Sequence, residues 1–308
     1  MQIEKNMDCQ ARTRLSYLFD DGKYTEINSY AKENDCLTGV VTAYGYVNGN
    51  AVYAFSQDKS INNGAVGPAH AAKIAKLYSL AAKTGTPVIG IHDSNGAFVN
   101  GTAESLTAYG ELINAASVIS GVVPQISVVA GTCAGSAALF ACSSDFIIMT
   151  KDAEFFMTPA FTKENSGSAS DAAANGIAAA VCDDDKAAIE KAKELINLMP
   201  VNNLAPLPMF EYNEPETAVS ADFNSLINGV CDAESIIELY AEFGKASYTA
   251  LATVNGATVG IAATNKTSDK LTDADCSKLS RFIRTCDAFA VPVITFVDTE
   301  GFDAADAI

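Results

Sequence analysis

VTAYGYVNGNAVYAFS (41–56) and SYTALATVNGATVGIA (247–262) are two versions of one segment. Aligning Asn48-Gly49 with Asn255-Gly256 gives an offset of 255 − 48 = 207. KTGTPVIGIHDSNGA (83–97) then matches TCDAFAVPVITFVDTEGF (285–302) at an offset of 205, with Pro87 against Pro292 and Asp93 against Asp298. Each copy sets β-branched and aromatic residues around an Asn-Gly pair, the signature of a hairpin with a type I′ turn. In the first copy Gly67-Pro68 precedes AHAAKIAKLYSLAAKTG, whose Ile74, Leu77 and Ala81 share a helical face. Pro87 then opens the apolar strand VIGIH. Each copy reads strand–turn–strand–helix–strand, which predicts an α/β fold with largely buried sheets. An internal repeat in a 308-residue chain predicts two domains.

Outward from the first copy, the pattern predicts a short helix around Leu15–Phe19 and a turn at DDG (20–22). Downstream it predicts a helix over 104–119, a strand at VPQISVVAG (123–131), a helix over 135–142, strands at 144–150 and 153–158, and a helix over 183–200 ended by Pro200. Pro206, Pro208 and Pro215 among Asn and acidic residues suggest a linker. The expected division is a first domain over 1–205, a linker over 206–235, and a partial second domain over 236–308. The first copy continues into GTCAGSAA (131–138), whereas the second reaches TEGF (299–302) shortly before Ile308. The expectation is one full unit, part of a second, and half of a two-substrate active site.

A net charge of −17 argues against general nucleic-acid binding, which needs clustered cations. Eight cysteines form no CxxC pair and only His70 and His92 are present, so neither a metal centre nor a disulfide framework is expected. The N-terminus lacks an apolar signal core, and no apolar run is long enough to span a membrane; a cytoplasmic protein is expected.

Two glycine-bearing turns carry the chemistry best: DSNGA (93–97) and GTCAGSAA (131–138). Both follow apolar strands, and the second opens a helix. Small residues admit a substrate to the backbone, and the first amides of a helix lack internal partners and so suit a developing oxyanion. The same small residues also arise where a helix packs closely on a sheet, and spacing alone leaves both readings open. GxxxxGK[ST], a GxGxxG strand–helix junction and GxSxG are all absent. His70, Arg12, Arg14, Lys73 and Lys76 are candidate ligand contacts, set against a satisfied histidine and solvated charges. Asp93 and Asp298 read equally as loop caps, and Cys133 as a buried small residue.

The ordered segments 11–27, 40–58, 67–97, 109–139 and 144–150 resemble the carboxyltransferase subunits of biotin-dependent acyl-CoA carboxylases and decarboxylases. Propionyl-CoA carboxylase beta chains and the carboxyltransferase subunit of glutaconyl-CoA decarboxylase are similar members. The resemblance implies a tandem crotonase-like fold of repeated ββα units. It implies transfer of a carboxyl group between carboxybiotin and the α-carbon of an acyl-CoA, with no metal. Gly135 and Ser136, with Gly96 and Ala97, would stabilise the thioester enolate; Ser94, Asn95 and Ala134 would line the same site, with His70, Lys73, Arg12 and Arg14 as further contacts. Biotin would arrive on a carrier protein of a biotin carboxylase complex and meet the second copy. Assembly as a hexamer, or with a complementary chain that completes the second domain, is implied. Ser136 stands where the family commonly has glycine, SNGAF replaces SGGAR, TEGF replaces VPGF, and 155–171 is short and polar. Two other readings remain beside the enzyme: a degenerate CoA-binding scaffold subunit, and another crotonase-type reaction that uses only the first turn.

Overall fold

The computed structural model describes residues 9–33, 36–99, 102–158, 166–267 and 269–303. Expectations that fall on 1–8, on 159–165 and on 304–308 lie outside them. The chain forms two compact units, residues 1–172 with 181–196, and residues 173–180 with 197–308.

The first unit begins with α1 (Gln10–Leu18), followed by β1 (Tyr24–Ile27) and a small ribbon of β2 (Lys32–Glu33) and β3 (Cys36–Leu37). The hairpin of β4 (Val40–Val47) and β5 (Asn50–Gln57) leads through α2 (Pro68–Thr84) to β6 (Val88–Ser94). Then come α3 (Thr102–Val118), β7 (Gln125–Ala134), α4 (Ser136–Ala141), β8 (Phe146–Thr150), β9 (Glu154–Phe156), α5 (Ala169–Ala174), β10 (Ala180–Cys182) and α6 (Asp185–Leu198). The sheet runs β1-β4-β5-β6-β7-β8-β10, with β9 also paired to β7. From β5 onward through β8 the pairing is parallel. β6 is buried along its whole length, as a central parallel strand with both faces covered must be.

The second unit holds α7 (Phe223–Val230), β11 (Ile237–Leu239), the hairpin β12 (Tyr248–Val254) and β13 (Ala257–Ala263), α8 (Asp273–Ala288) and β14 (Val293–Phe296), with sheet order β11-β12-β13-β14. Its core gathers Ile227 and Cys231 with Tyr248, Ala250, Ile261 and Ala263. The expected linker over 206–235 is therefore corrected: its second half contains α7, whose apolar face is core, and only the proline-rich part is irregular.

The repeat extends well below the level of secondary structure. Asn48 and Gly49 have φ of 48° and 77°, and Asn255 and Gly256 have 51° and 75°, the left-handed pair of a type I′ turn. Each turn is held from upstream by a carboxylate: Asp20 accepts the Asn48 and Gly49 N–H at 2.9 Å, and Asp232 accepts those of Asn255 and Gly256 at 2.8 and 2.7 Å. Thr42 Oγ1 donates to Ile27 O as its counterpart Thr249 Oγ1 donates to Leu239 O. A buried lysine recurs too. Lys73 Nζ donates to Val40 O at 2.6 Å, and Lys278 Nζ to the carbonyls of Phe243, Gly244 and Ser247 at 2.9–3.3 Å. Each ties the helix to the start of the first hairpin strand. Carbonyl partners offset much of the cost of burying an ammonium; even so, burial pulls the Lys278 amine down to about 8.

Candidate active site

β6 and β7 run parallel until a register shift between His92 and Ser94, after which Ser94 pairs with Cys133. That pairing brings the two glycine turns together. Gly96 has φ +96°, and a Cβ there would lie 2.7 Å from Ala134 O, so the first turn rests directly on the second. Gly135 has φ 60° and ψ −126°, a conformation open in practice only to glycine. It caps α4.

The hydrogen bonds decide which amides are available. Val66 pairs with Ala97 as in a parallel ladder: Val66 N–H donates to Gly96 O at 2.8 Å, and Phe98 N–H to Val66 O at 3.0 Å. Asn95 N–H is taken by Asn63 O, and Gly96 N–H by Ser94 Oγ at 3.1 Å. Ala97 N–H is left without a partner among the described residues. At the second turn Gly135 N–H donates to Phe156 O at 2.8 Å, because β9 pairs with this end of β7. Gly135 is therefore corrected from an amide donor to the hinge that aims the helix. The N–H groups of Ser136 and Ala137, at the start of α4, have no partner among the described residues.

Behind both turns lies a buried carboxylate. Asp93 Oδ2 accepts from Arg14 Nη1 at 3.1 Å, and Oδ1 accepts the Thr132 N–H at 3.2 Å and has Lys59 Nζ at 3.7 Å. Its own N–H donates to Gln57 Oε1. A Cβ on Gly131 would overlap the carboxylate, and one on Gly64 would overlap Asp93 O. Arg14, 2% exposed, spends its remaining donors on Asp185 Oδ2 and Ala130 O, both at 2.7 Å. One ion-pair network thus joins α1, β6, β7 and α6.

This placement corrects the proposed ligand contacts. Arg14 and Lys73 are interior tethers, neither solvated nor open to a phosphate. Arg12 is paired with Glu26 through two nitrogens, at 2.8 and 3.3 Å. His70 is 1% exposed, with Nε2 at 3.4 Å from Gln57 Nε2 and Glu33 Oε2 accepting its backbone N–H. Ser94, Asn95, Gly96, Ala97, Ala134, Gly135 and Ser136 are brought together; Arg12, His70 and Lys73 are not part of that cluster. Cys133 is fully buried, and burial pushes its thiol well above the ordinary range.

The carboxyl transferase domain model matches residues 8–307. The chain belongs to this family. Carboxyl transferase relatives include the methylmalonyl-CoA decarboxylase subunit alpha of Propionigenium modestum, 35% identical over 95% of this chain and 64% of the relative. A propionyl-CoA carboxylase beta chain from Roseobacter denitrificans is 32% identical over 97% of this chain and 68% of its own length. Among solved structures, a transcarboxylase 12S hexamer with hydrolysed methylmalonyl-coenzyme A bound superposes with a TM-score of 0.90 at 31% identity, over 95% of this chain and 65% of that one. The chain thus spans about two thirds of the length of these proteins, and its fold is the crotonase-like one of carboxyltransferases. Among the described residues of this carboxyl transferase domain, no group of three or more His, Cys, Asp or Glu is arranged to hold a metal ion, and no helix is long and apolar enough to cross a membrane.

The two histidines of the domain give it an acid sensitivity. His92 is buried against Phe55 and Phe140 with Nε2 at 3.0 Å from Ser127 Oγ. Burial holds both imidazoles down at about 3, with Lys73 adding to the effect on His70. Between the ordinary value of 6.5 and about 3, the unfolded chain binds protons that the folded chain refuses. Stability must therefore fall as pH falls through that window, by about 1.4 kcal/mol per pH unit for each histidine. Urea midpoints measured from neutral pH down to about 4 should show this slope, and His92→Gln should remove one proton's share of it.

Proposed function

We propose that this domain stabilises the enolate of an acyl-CoA thioester and moves a carboxyl group between its α-carbon and carboxybiotin. The observation that carries the reading is the abutment of the two glycine turns, beside which the Ala97 N–H and the Ser136 and Ala137 N–H have no partner among the described residues. Paired amides of this kind stabilise charge on a thioester oxygen without any ionisable side chain. Decarboxylating a malonyl-type thioester and carboxylating an acyl-CoA pass through the same enolate, so one site serves both directions. Similarity to a methylmalonyl-CoA decarboxylase subunit makes the decarboxylating direction the first to test.

The second unit repeats the first turn. Leu271 pairs with Phe302, Leu271 N–H donates to Gly301 O, Asp303 N–H donates to Leu271 O, and Gly301 has φ +117° with open space where a Cβ would stand. Phe302 N–H thus corresponds to that of Ala97. An adjoining cleft of ≈ 380 Å³ is lined by Asn265, Lys266, Asp298 and Thr299, and the buried Asn265 Oδ1 has no partner among the described residues. A cyclic urea presents both an acceptor oxygen and an N–H donor, so the Phe302 N–H and Asn265 Oδ1 are the groups that would hold biotin. Held there, carboxybiotin would supply the carboxyl group in one direction and biotin would receive it in the other. The partners implied are a biotin carrier protein with its carboxylase and further copies in a hexamer.

The test is exchange of labelled carboxylate between methylmalonyl-CoA and biotin, with acyl-CoA affinity measured beside it. Transfer supports the reading; affinity without transfer leaves a CoA-binding scaffold; neither defeats it.

A further inference from the structure

Lys59 is the solvent-facing member of the network behind the turns. Its ammonium stands 3.2 Å from Thr132 Oγ1 and 3.7 Å from Asp93 Oδ1, with about half of the side chain open to solvent. Those two partners mark the place where the β6–β7 ladder breaks. The strands pair regularly as far as His92 and resume with Ser94 against Cys133. Across the break, side chains set how the strands lie. Asp93 Oδ1 accepts the Thr132 N–H at 3.2 Å, and the Lys59 ammonium closes over the same two residues. Lys59 also brings a third element to this point. It sits in a tight turn after β5, where Asp58 N–H donates to Gly39 O, Ile61 N–H donates to Asp58 O, and Asp58 Oδ1 accepts from both the N–H and the Oγ of Ser60. The same segment shoulders the first glycine turn. Asn63 O accepts the Asn95 N–H, and Val66 bonds to Gly96 O and the Phe98 N–H on either side of Ala97. Segment 58–66 therefore carries the first turn at one end and, through Lys59, grips the root of the second at the other.

We propose that Lys59 is a positioning residue for the oxyanion site, its ammonium fixing the spacing of the two turns through Thr132 Oγ1 and Asp93. Thr132 lies just ahead of the hinge Gly135, so a shift at its hydroxyl moves the Ser136 N–H relative to the Ala97 N–H. Both amides must meet one thioester oxygen as charge develops on it. The clamp therefore acts on the reacting complex more than on the folded state, to which an ion pair open to solvent adds little. The inference rests on the enolate-stabilising function proposed above.

Lys59→Met keeps an unbranched stem and removes the ammonium, and Thr132→Val removes the hydroxyl that it holds. Melting temperatures should move by no more than about 4 °C in either variant. The kcat for decarboxylation of methylmalonyl-CoA should fall about 10-fold in each, with KM within about twofold. That loss is smaller than deletion of an oxyanion donor, since Asp93 still holds the Thr132 N–H. The double variant should lose no more than the worse single one, because both break the same clamp. Turnover of Lys59→Met within about twofold of wild type, or losses that multiply in the double variant, would overturn the proposal while wild-type turnover leaves the enolate function standing. A rise in KM with kcat unchanged would also overturn it, and would make Lys59 a contact for the anionic substrate instead. A wild-type protein that neither binds nor turns over the thioester would remove both together.

Discussion

Gly96→Ala is expected to lower turnover of an acyl-CoA by about 10²–10³-fold while the first unit stays folded. Two constraints meet at this residue. Its φ of +96° is outside the range that side chains readily adopt, and a Cβ would stand 2.7 Å from Ala134 O on the neighbouring turn. The Ala134 carbonyl belongs to backbone and cannot swing aside as a flexible side chain would. Relief must come from separating the turns or rotating the Gly96–Ala97 peptide. Either movement spoils the aim of the Ala97 N–H, and misplacing one oxyanion donor costs about as much as deleting it. The loss should lie mainly in kcat, since the interaction strengthens as charge develops on the thioester oxygen. Steady-state kinetics with thermal melts separates this from unfolding.

Asp93→Asn should instead be a stability defect, of about 3–5 kcal/mol, visible as a large drop in the urea midpoint. The asparagine keeps the shape of the side chain and loses its charge. Arg14 would remain buried with one carboxylate, Asp185, whose side chain is far more open to solvent than Asp93. The amide nitrogen of the new side chain would also face either the Arg14 guanidinium or the Thr132 N–H, donor against donor. Since Thr132 leads into the second turn and Asp93 into the first, the surviving folded fraction should also bind acyl-CoA more weakly. Isothermal titration on that fraction measures it.

The sequence showed the fold plainly wherever the signal was local. Asn-Gly turns, the periodic face of α2 and the apolar runs of β6 and β7 each declare themselves within a few residues, and their repetition doubled the signal. What stayed hidden depends on distant pairs. Arg14 reads in sequence as a ligand contact or a solvated charge because its partners lie 79 and 171 residues away. Lys73 reads the same way, and its structural role, shared with Lys278, shows only in the bonds that both make to backbone carbonyls. Gly135 reads in sequence as an amide donor because nothing local reveals that Phe156 O occupies its N–H. The pair of glycine turns is legible as a candidate site, yet which of its amides have backbone partners depends on the β6–β7 and β7–β9 registers. Helix α7 was hidden in a stretch whose prolines and acidic residues outweigh a single apolar face.

The turn amides at Ala97 and Ser136 are proposed to hold a thioester oxygen. The most direct measurement is the infrared stretch of a ¹³C-labelled thioester carbonyl on acyl-CoA bound to this protein. Hydrogen bonds from two preorganised amides polarise the carbonyl, so the band should move to lower frequency on binding to wild type and return toward its solution position in Gly96→Ala. A bound thioester whose carbonyl band is unshifted in the wild-type protein would contradict the account.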